Sequence, residues 1–562
     1  MDNKTIAKTF KQYAQLMELH GGNPFRTKAM ANAAFKLGKL PFGVTPQTVD
    51  KLHEVPGLGP STAEKVRLLL ETGSFPEWET LLADTPDGIV EMLGIKGLGP
   101  GKIKIIWRDL GIESVGELDY ACNENRLVEA KGFGLKTQQE IKQAIAFSIA
   151  NKGWFLYSAA EKIAEATMVS LRELFPPNLE IAFTGDFRRK CEVLQSVDII
   201  VAASFDELAT AVAEIDTLAI EPEHTPSLLR AKHASGLIFR FIPVDSPAFY
   251  RQLLISTGSE EHLRQLDKLL AETQLPELDS EEAIYAALGL PFFQPELREG
   301  TNELTLAKDN TLPALISYAD LRGTLHNHST YSDGVNTLEE MARYCRDELR
   351  LEYLGICDHS RAAVYAKGLD IARVKEQWAE IDVLNTTLAP FRIFKGIESD
   401  ILGDGSLDYP DEILAGFDFV VASVHSNLKM DKERATNRLI KAIENPYTTI
   451  LGHPTGRLLL SREGYPLDYQ RIIDACAAYG VVIEINANPL RLDLDWRWHR
   501  YAIEKGVLLS INPDAHRNSG FHDMQYGVHM ARKGGVAPHN CLNAFSVDAI
   551  AEYFKQRKQR TG

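Results

Sequence analysis

The chain has 562 residues, 44% of them hydrophobic and 25% charged, which excludes collagen-like, low-complexity and mostly disordered classes and implies three or four domains of ~100–200 residues. Its formal net charge of -16 argues against a globally basic nucleic-acid binder. Six cysteines without a Cys-x-x-Cys pair indicate neither a disulfide framework nor a cysteine zinc site; with no apolar run of ~18 residues and no signal-peptide core, the expectation is a cytoplasmic protein with no membrane partner and no obligate protein partner.

Residues 1–150 are electrically neutral, with 18 basic and 18 acidic side chains. Helical spacing covers 6–19 and 26–37, the second opened by Asn23-Pro24. A pattern then occurs three times, as Val55-Pro56-Gly57-Leu58-Gly59-Pro60-Ser61, Ile95-Lys96-Gly97-Leu98-Gly99-Pro100-Gly101 and Ala130-Lys131-Gly132-Phe133-Gly134-Leu135-Lys136, each before a helical segment. This is an internal repeat. A Gly-x-Gly turn between helices aims the free N–H groups of the next helix outward, where they hold a phosphate oxygen without side-chain charge. Gly57, Gly59, Gly97, Gly99, Gly132 and Gly134 are therefore candidate DNA-backbone contacts, and the element resembles the helix-hairpin-helix. Two helical domains are expected, 1–80 and 81–150.

Residues 151–250 carry β-rich runs at 181–183, 197–201 and 237–242 with helices between, an α/β domain. A helical domain is expected over 251–300 and a polar linker over 301–320. From 321 to 562, short apolar strands at 353–357, 394–397, 419–424, 449–452, 481–485 and 508–511 alternate with helices. That alternation implies a βα barrel with its functional residues at the strands' C-terminal ends.

Metal-type residues fall at those ends. His326-Asn327-His328 closes the first strand, Asp333 follows in the loop, Asp358-His359 closes the second and Glu398 the third. His425 and His453 end the next two, and Asp514-Ala515-His516 the last. In His-x-His and Asp-x-His both side chains stand on one face of a strand. Six imidazoles and three carboxylates exceed the needs of one metal, so two or three ions are implied. Such a cluster can clamp a phosphate, lower the pKa of bound water and stabilise a leaving oxygen, which is phosphoester hydrolysis. His326, His328, Glu398 and Asp514 are the candidate catalytic residues, with Glu398 and Asp514 as bridging ligands. His499, His522, His529 and His539 lack this placement and read as structural or surface residues.

The segments Leu325–Ser329, Ser332–Gly334, Asp358–Ser360, Gly396–Glu398, Val424–Ser426, Gly452–Pro454 and Asp514–His516 resemble the polymerase and histidinol phosphatase (PHP) domain. The resemblance implies a distorted (β/α)7 barrel binding three metal ions, commonly manganese or zinc. Its nine usual ligand positions correspond to His326, His328, Asp333, His359, Glu398, His425, His453, Asp514 and His516. Thr324 stands where an aspartate is often found, which bears on an orienting position and not on the ligand set.

Asn23-Pro24-Phe25-Arg26, the hairpins, Gly185–Arg189, Thr257-Gly258-Ser259 with His262, and 288–300 resemble a family X DNA polymerase core. The whole chain resembles bacterial PolX proteins, with 151–250 palm-like and 251–300 thumb-like. That family places Gly-Ser on the incoming triphosphate and three aspartates around two Mg²⁺ ions. Here Asp186 holds the serine position, beside Arg189, and Ser196 the first aspartate position. Asp198 is the second aspartate, and Arg240 falls at the third. One carboxylate cannot hold a two-metal site, so the resemblance implies a degenerate polymerase serving DNA binding, with Glu192 and Asp245 as the acids that could compensate. Lys65 matches the position of a Schiff-base lysine in some members; a solvated or phosphate-contacting lysine is the favoured reading.

The expected function is a DNA-repair phosphodiesterase, a Mn-dependent 3′→5′ exonuclease acting without sequence preference at gaps, nicks or 3′ ends; Zn and Fe suit the same ligands. An active gap-filling polymerase with 3′→5′ exonuclease is the alternative that Ser196 and Arg240 oppose. A non-catalytic DNA-binding scaffold is the one that the complete ligand set opposes.

Overall fold

A computed structural model describes residues 1–559 except 41, 96, 129, 151–152 and 273–276. Lys96 of the second hairpin therefore lies outside the described residues. The chain divides into two compact units, Met1–Ser148 and Ile149–Gly562.

The first unit is helical. Asn3–Leu19 starts where the Asp2 side chain accepts from Thr5 N, and Pro24–Leu37 where Asn23 accepts from Phe25 N and Arg26 N with proline in the first turn, so each helix begins at a residue that satisfies free N–H groups. Ile6, Phe10, Tyr13, Leu37, Val66 and Phe75 form the core beneath the first hairpin.

The second unit begins with a ribbon of β1 (Phe155–Leu156) against β3 (Val193–Leu194) and a five-stranded sheet. The sheet holds β2 (Ile181–Thr184), β4 (Ser196–Val201), β5 (Leu218–Ile220), β6 (Leu229–His233) and β7 (Ile238–Pro243), in the order β2-β4-β7-β6-β5. Only β4 and β7 are parallel, with Asp198 opposite Arg240. Helices Phe249–Thr257, Glu260–Glu272 and Glu281–Ala287 follow.

The stretch expected as a linker opens as the helix Glu303–Lys308. Glu303 is buried, its carboxylate 2.7 Å from His262 Nδ1 and accepting from Gly300 N at 2.7 Å. An acid with such partners packs instead of spacing.

Seven parallel strands make the C-terminal barrel: β8 (Gly323–Thr324), β9 (Tyr353–Ile356), β10 (Arg392–Asp400), β11 (Phe419–Ser423), β12 (Ile450–Leu451), β13 (Val482–Asn486) and β14 (Leu509–Asn512). They neighbour one another in chain order, and a parallel bridge from Asn327 to Ala515 nearly closes the ring. Leu325, Phe394, Phe419, Val421, Ile450 and Val482 fill the interior, with Ile550 and Phe554 of the last helix packed against them. This plug leaves only the strands' C-terminal ends open for chemistry.

Candidate metal centre

All nine expected ligands meet at that mouth, and none exposes more than 10% of its side chain. They form four overlapping groups whose ligand atoms lie within 4.8 Å of one another: His328, Asp333, His359 and His516; His326, His328 and Asp514; His326, Glu398 and His453; His359, Glu398 and His425. Glu398 is the hub. Its oxygens lie 2.9 Å from His359 Nδ1, 2.9 Å from His453 Nε2, 3.0 Å from His425 Nε2 and 3.3 Å from His326 Nε2. Asp514 Oδ1 is 3.0 Å from His328 Nε2 and 3.6 Å from His326 Nε2, but belongs to a single group, so sharing between groups is carried by Glu398 and by His326, His328 and His359.

The donor set fits divalent cations. Both ring nitrogens of His328 and His359, Nε2 of His326, Nδ1 of His453 and one oxygen each of Asp333 and Glu398 are buried without a hydrogen-bond partner. Buried polar atoms left this way are costly, and a cation can take up the lone pair that each neutral imidazole and carboxylate offers. Burial and the neighbouring His516 and His359 rings press the His328 imidazole down to about 3, the neutral form that a ligand needs. Burial opposes ionisation of Glu398, but His425, His326 and His359 outweigh it and hold its carboxyl well below the usual range. His326 likewise overcomes the burial of Asp514.

Glu484, on β13, was not singled out by the sequence. It is fully buried, with one oxygen 2.7 Å from His326 Nδ1 and the other accepting from His453 N at 2.7 Å. It orients two ligands at once, a role the Thr324 departure had placed in question. Asp358 accepts from Ser329 N at 2.9 Å, Ser332 N at 3.0 Å and Gln377 Nε2 at 2.6 Å, holding the loop that carries Asp333. Asp400 stands 3.2 Å from His425 Nδ1. An acid inside an apolar strand was the only signal for Glu484. His499 is buried beside Leu494 O, and His529 packs edge-on to Tyr157 and Tyr526.

In the palm-like sheet Arg240 Nε donates to Asp198 Oδ1 at 2.6 Å while Nη2 reaches Oδ2, and Ser196 Oγ donates to Oδ1 at 3.1 Å. The remaining aspartate is thus covered by a cation. Asp186 accepts from Arg189, whose Nε donates to Glu299 at 3.0 Å. Among the described residues no group of potential metal ligands includes Asp198; Glu192 lies 3.9 Å from Arg497, and Asp245 follows the end of β7.

The hairpins divide by conformation. Gly57, Gly97 and Gly132 have φ of 86°, 92° and 88°, which favours glycine. Gly59, Gly99 and Gly134 are not at positive φ, and a Cβ on any of them would meet nothing within 4 Å. Neither strain nor internal packing calls for glycine there. Gly59 and Gly99 also cap their helices without a side-chain hydrogen bond, which leaves first-turn N–H groups for an anion. Lys65 departs from the expected phosphate contact. Its side chain is buried against Phe75 with its ammonium on Glu77, because a cation this enclosed needs an anion.

Residues 1–75 match the helix-hairpin-helix domain family and residues 89–146 the SAM-like helix-hairpin-helix tandem family. The DNA polymerase/3′-5′ exonuclease PolX of Bacillus subtilis (strain 168) is 33% identical over 576 residues, covering 99% of this chain and 100% of that protein. The chain is a member of the PolX family. Within this PolX chain the C-terminal region is the PHP part. It is similar to a probable phosphatase of Thermoanaerobacter sp. (strain X514), 29% identical over 232 residues, 37% of this chain and 91% of the relative. A probable phosphatase of Caldanaerobacter subterraneus subsp. tengcongensis is 28% identical over 229 residues, 37% and 87% of the two. The barrel of this PolX protein is accordingly a PHP (β/α)7 barrel, and its front unit a helix-hairpin-helix DNA-binding module. Among the described residues no helix is long and apolar enough to cross a membrane.

Proposed function

We propose that the protein is a divalent-metal-dependent 3′→5′ exonuclease that trims 3′ ends at gaps and nicks during DNA repair in the cytoplasm. The observation that carries this reading is the convergence of six imidazoles and three carboxylates at the barrel mouth, with Glu398 shared between two of the ligand groups. The nine ligands would hold up to three ions, manganese fitting best with zinc and iron also suited to the donors. Divalent ions bound there polarise the scissile phosphate and lower the pKa of water.

The protein's own groups do the rest. Glu398 and Asp514 keep their negative charge against burial, because the surrounding imidazoles favour it. Glu484 aims the His326 ring through Nδ1 and holds the His453 backbone N–H, so ligand geometry is fixed before substrate arrives. The hairpin N–H groups would grip the DNA backbone without reading sequence, which suits an enzyme that acts on ends. The Arg240–Asp198 pair supports a palm that binds DNA without extending it, since the cation occupies the position a metal ion requires.

The test is an end-labelled primer on gapped DNA with Mn²⁺, with and without dNTPs, beside a His326→Ala/His328→Ala variant. Shortening without lengthening, absent in the variant, is expected. Lengthening would overturn the degenerate-polymerase reading, and shortening by the variant the assignment of the nuclease to this centre.

A further inference from the structure

The loop after β9 leaves the metal cluster at His359 and presents an uncommon surface. Ala363 and Ala366 are buried and anchor a 3₁₀ turn, while Val364 and Tyr365 between them are 80% and 39% exposed. The Tyr365 ring is tilted against His359, with centroids 6.2 Å apart and planes inclined by 59°. Across the mouth Val335 is 47% exposed, and its N–H donates to His516 O at 2.9 Å. Apolar surface thus flanks one end of the cluster, the end formed by His328, Asp333, His359 and His516. Exposed apolar side chains gathered beside a polar site mark a contact surface.

The turn is built rigidly. Ser360 and Leu369 are bridged, Leu369 N donates to His359 O at 2.8 Å, and Ser360 N donates to Glu398 O at 3.0 Å. Arg361 Nη2 donates to Asp408 O at 2.6 Å and Ala362 N to Asp408 Oδ2 at 2.7 Å. Gly368 runs so close to Ser360 that a Cβ would sit 1.9 Å from its carbonyl oxygen. Arg361 in this loop is ion-paired with Asp408, its Nε 3.2 Å from Oδ1, which ties the turn further to the barrel.

We infer that Tyr365, with Val364, is a stacking platform for the terminal nucleobase of the strand being trimmed. The inference rests on the nuclease reading and deepens it by naming what selects the substrate. With a phosphate over the ligands, the base of the same nucleotide is the flat apolar group within reach of a ring tilted against His359. A phosphorylated sugar or amino alcohol has no such face. Stacking is tolerant of base identity, which matches an end-trimming enzyme. Tyr365 binds substrate and takes no part in proton transfer.

The experiment uses the full chain with Mn²⁺ and gapped duplexes whose labelled strand ends in either deoxyadenosine or a tetrahydrofuran abasic residue. Tyr365→Ala is expected to raise KM about tenfold on the base-bearing end with kcat within about twofold. On the abasic end it is expected to match the wild type, and Tyr365→Phe is expected to behave as wild type on both. An unchanged KM, an equal loss on both ends, or a loss confined to kcat overturns the platform while leaving the nuclease intact. A wild type that cleaves neither end overturns the nuclease reading and the platform with it.

Discussion

Arg240 and Asp198 face each other across parallel strands β4 and β7 and share a two-point ion pair, with Arg240 Nε 2.6 Å from Asp198 Oδ1 and Nη2 on Oδ2. A guanidinium in fork geometry engages both carboxylate oxygens and sets a fixed positive charge where a metal ion would have to stand. Primer extension should therefore be absent with either Mg²⁺ or Mn²⁺. Arg240→Ala alone should not restore it, since one carboxylate remains. The triple variant Asp186→Ser/Ser196→Asp/Arg240→Asp is expected to regain measurable extension of a labelled primer, and a triple variant as inert as the wild type would place the defect elsewhere.

Glu484 holds His326 by Nδ1 and His453 by its backbone N–H. Glu484→Gln keeps the shape and removes the charge, and should weaken Mn²⁺ affinity about 10–100-fold. Calorimetric titration of chelator-treated protein checks this. Saturating Mn²⁺ should also raise the Tm of the wild type, because a ligand bound only by the folded state stabilises it. That rise should vanish in His326→Ala/His328→Ala.

The second glycine of each hairpin has open space where a Cβ would stand. Gly59→Ala, Gly99→Ala and Gly134→Ala should leave the Tm within about 2 °C and yet weaken gapped-DNA binding, by about tenfold when combined, as the methyls intrude on the phosphate. Gly57→Ala should instead destabilise the fold, since φ is 86° and the methyl meets Lys36 Nζ. Lys65→Ala should change DNA affinity less than twofold, its ammonium being held by Glu77. Fluorescence anisotropy and thermal melts separate these effects.

Burial moves the His499 imidazole from 6.5 down to about 4. The unfolded chain then takes up a proton that the folded chain refuses, so stability present above pH ~6.5 is lost progressively as pH falls toward ~4, by about 3 kcal/mol at most. Urea unfolding of chelator-treated protein at pH 7 and pH 5 should show a smaller acid loss for His499→Asn than for the wild type. Equal losses would assign the acid sensitivity to other groups.

The clustering of these histidines and acids was legible in the sequence because each stands beside a short apolar strand, and in a parallel barrel all such ends share one face. The hairpins were legible for a similar local reason, a glycine spacing repeated three times before a helix. What tertiary structure alone decided were pairings between distant residues. Arg240 meets Asp198 across 42 positions and Glu484 meets His326 across 158; Lys65 turns from solvent to Glu77, and Tyr365 settles against His359. Periodicity tells which face of an element is buried, but strand register and loop packing select the partner on that face, and neither is encoded within any local stretch of chain.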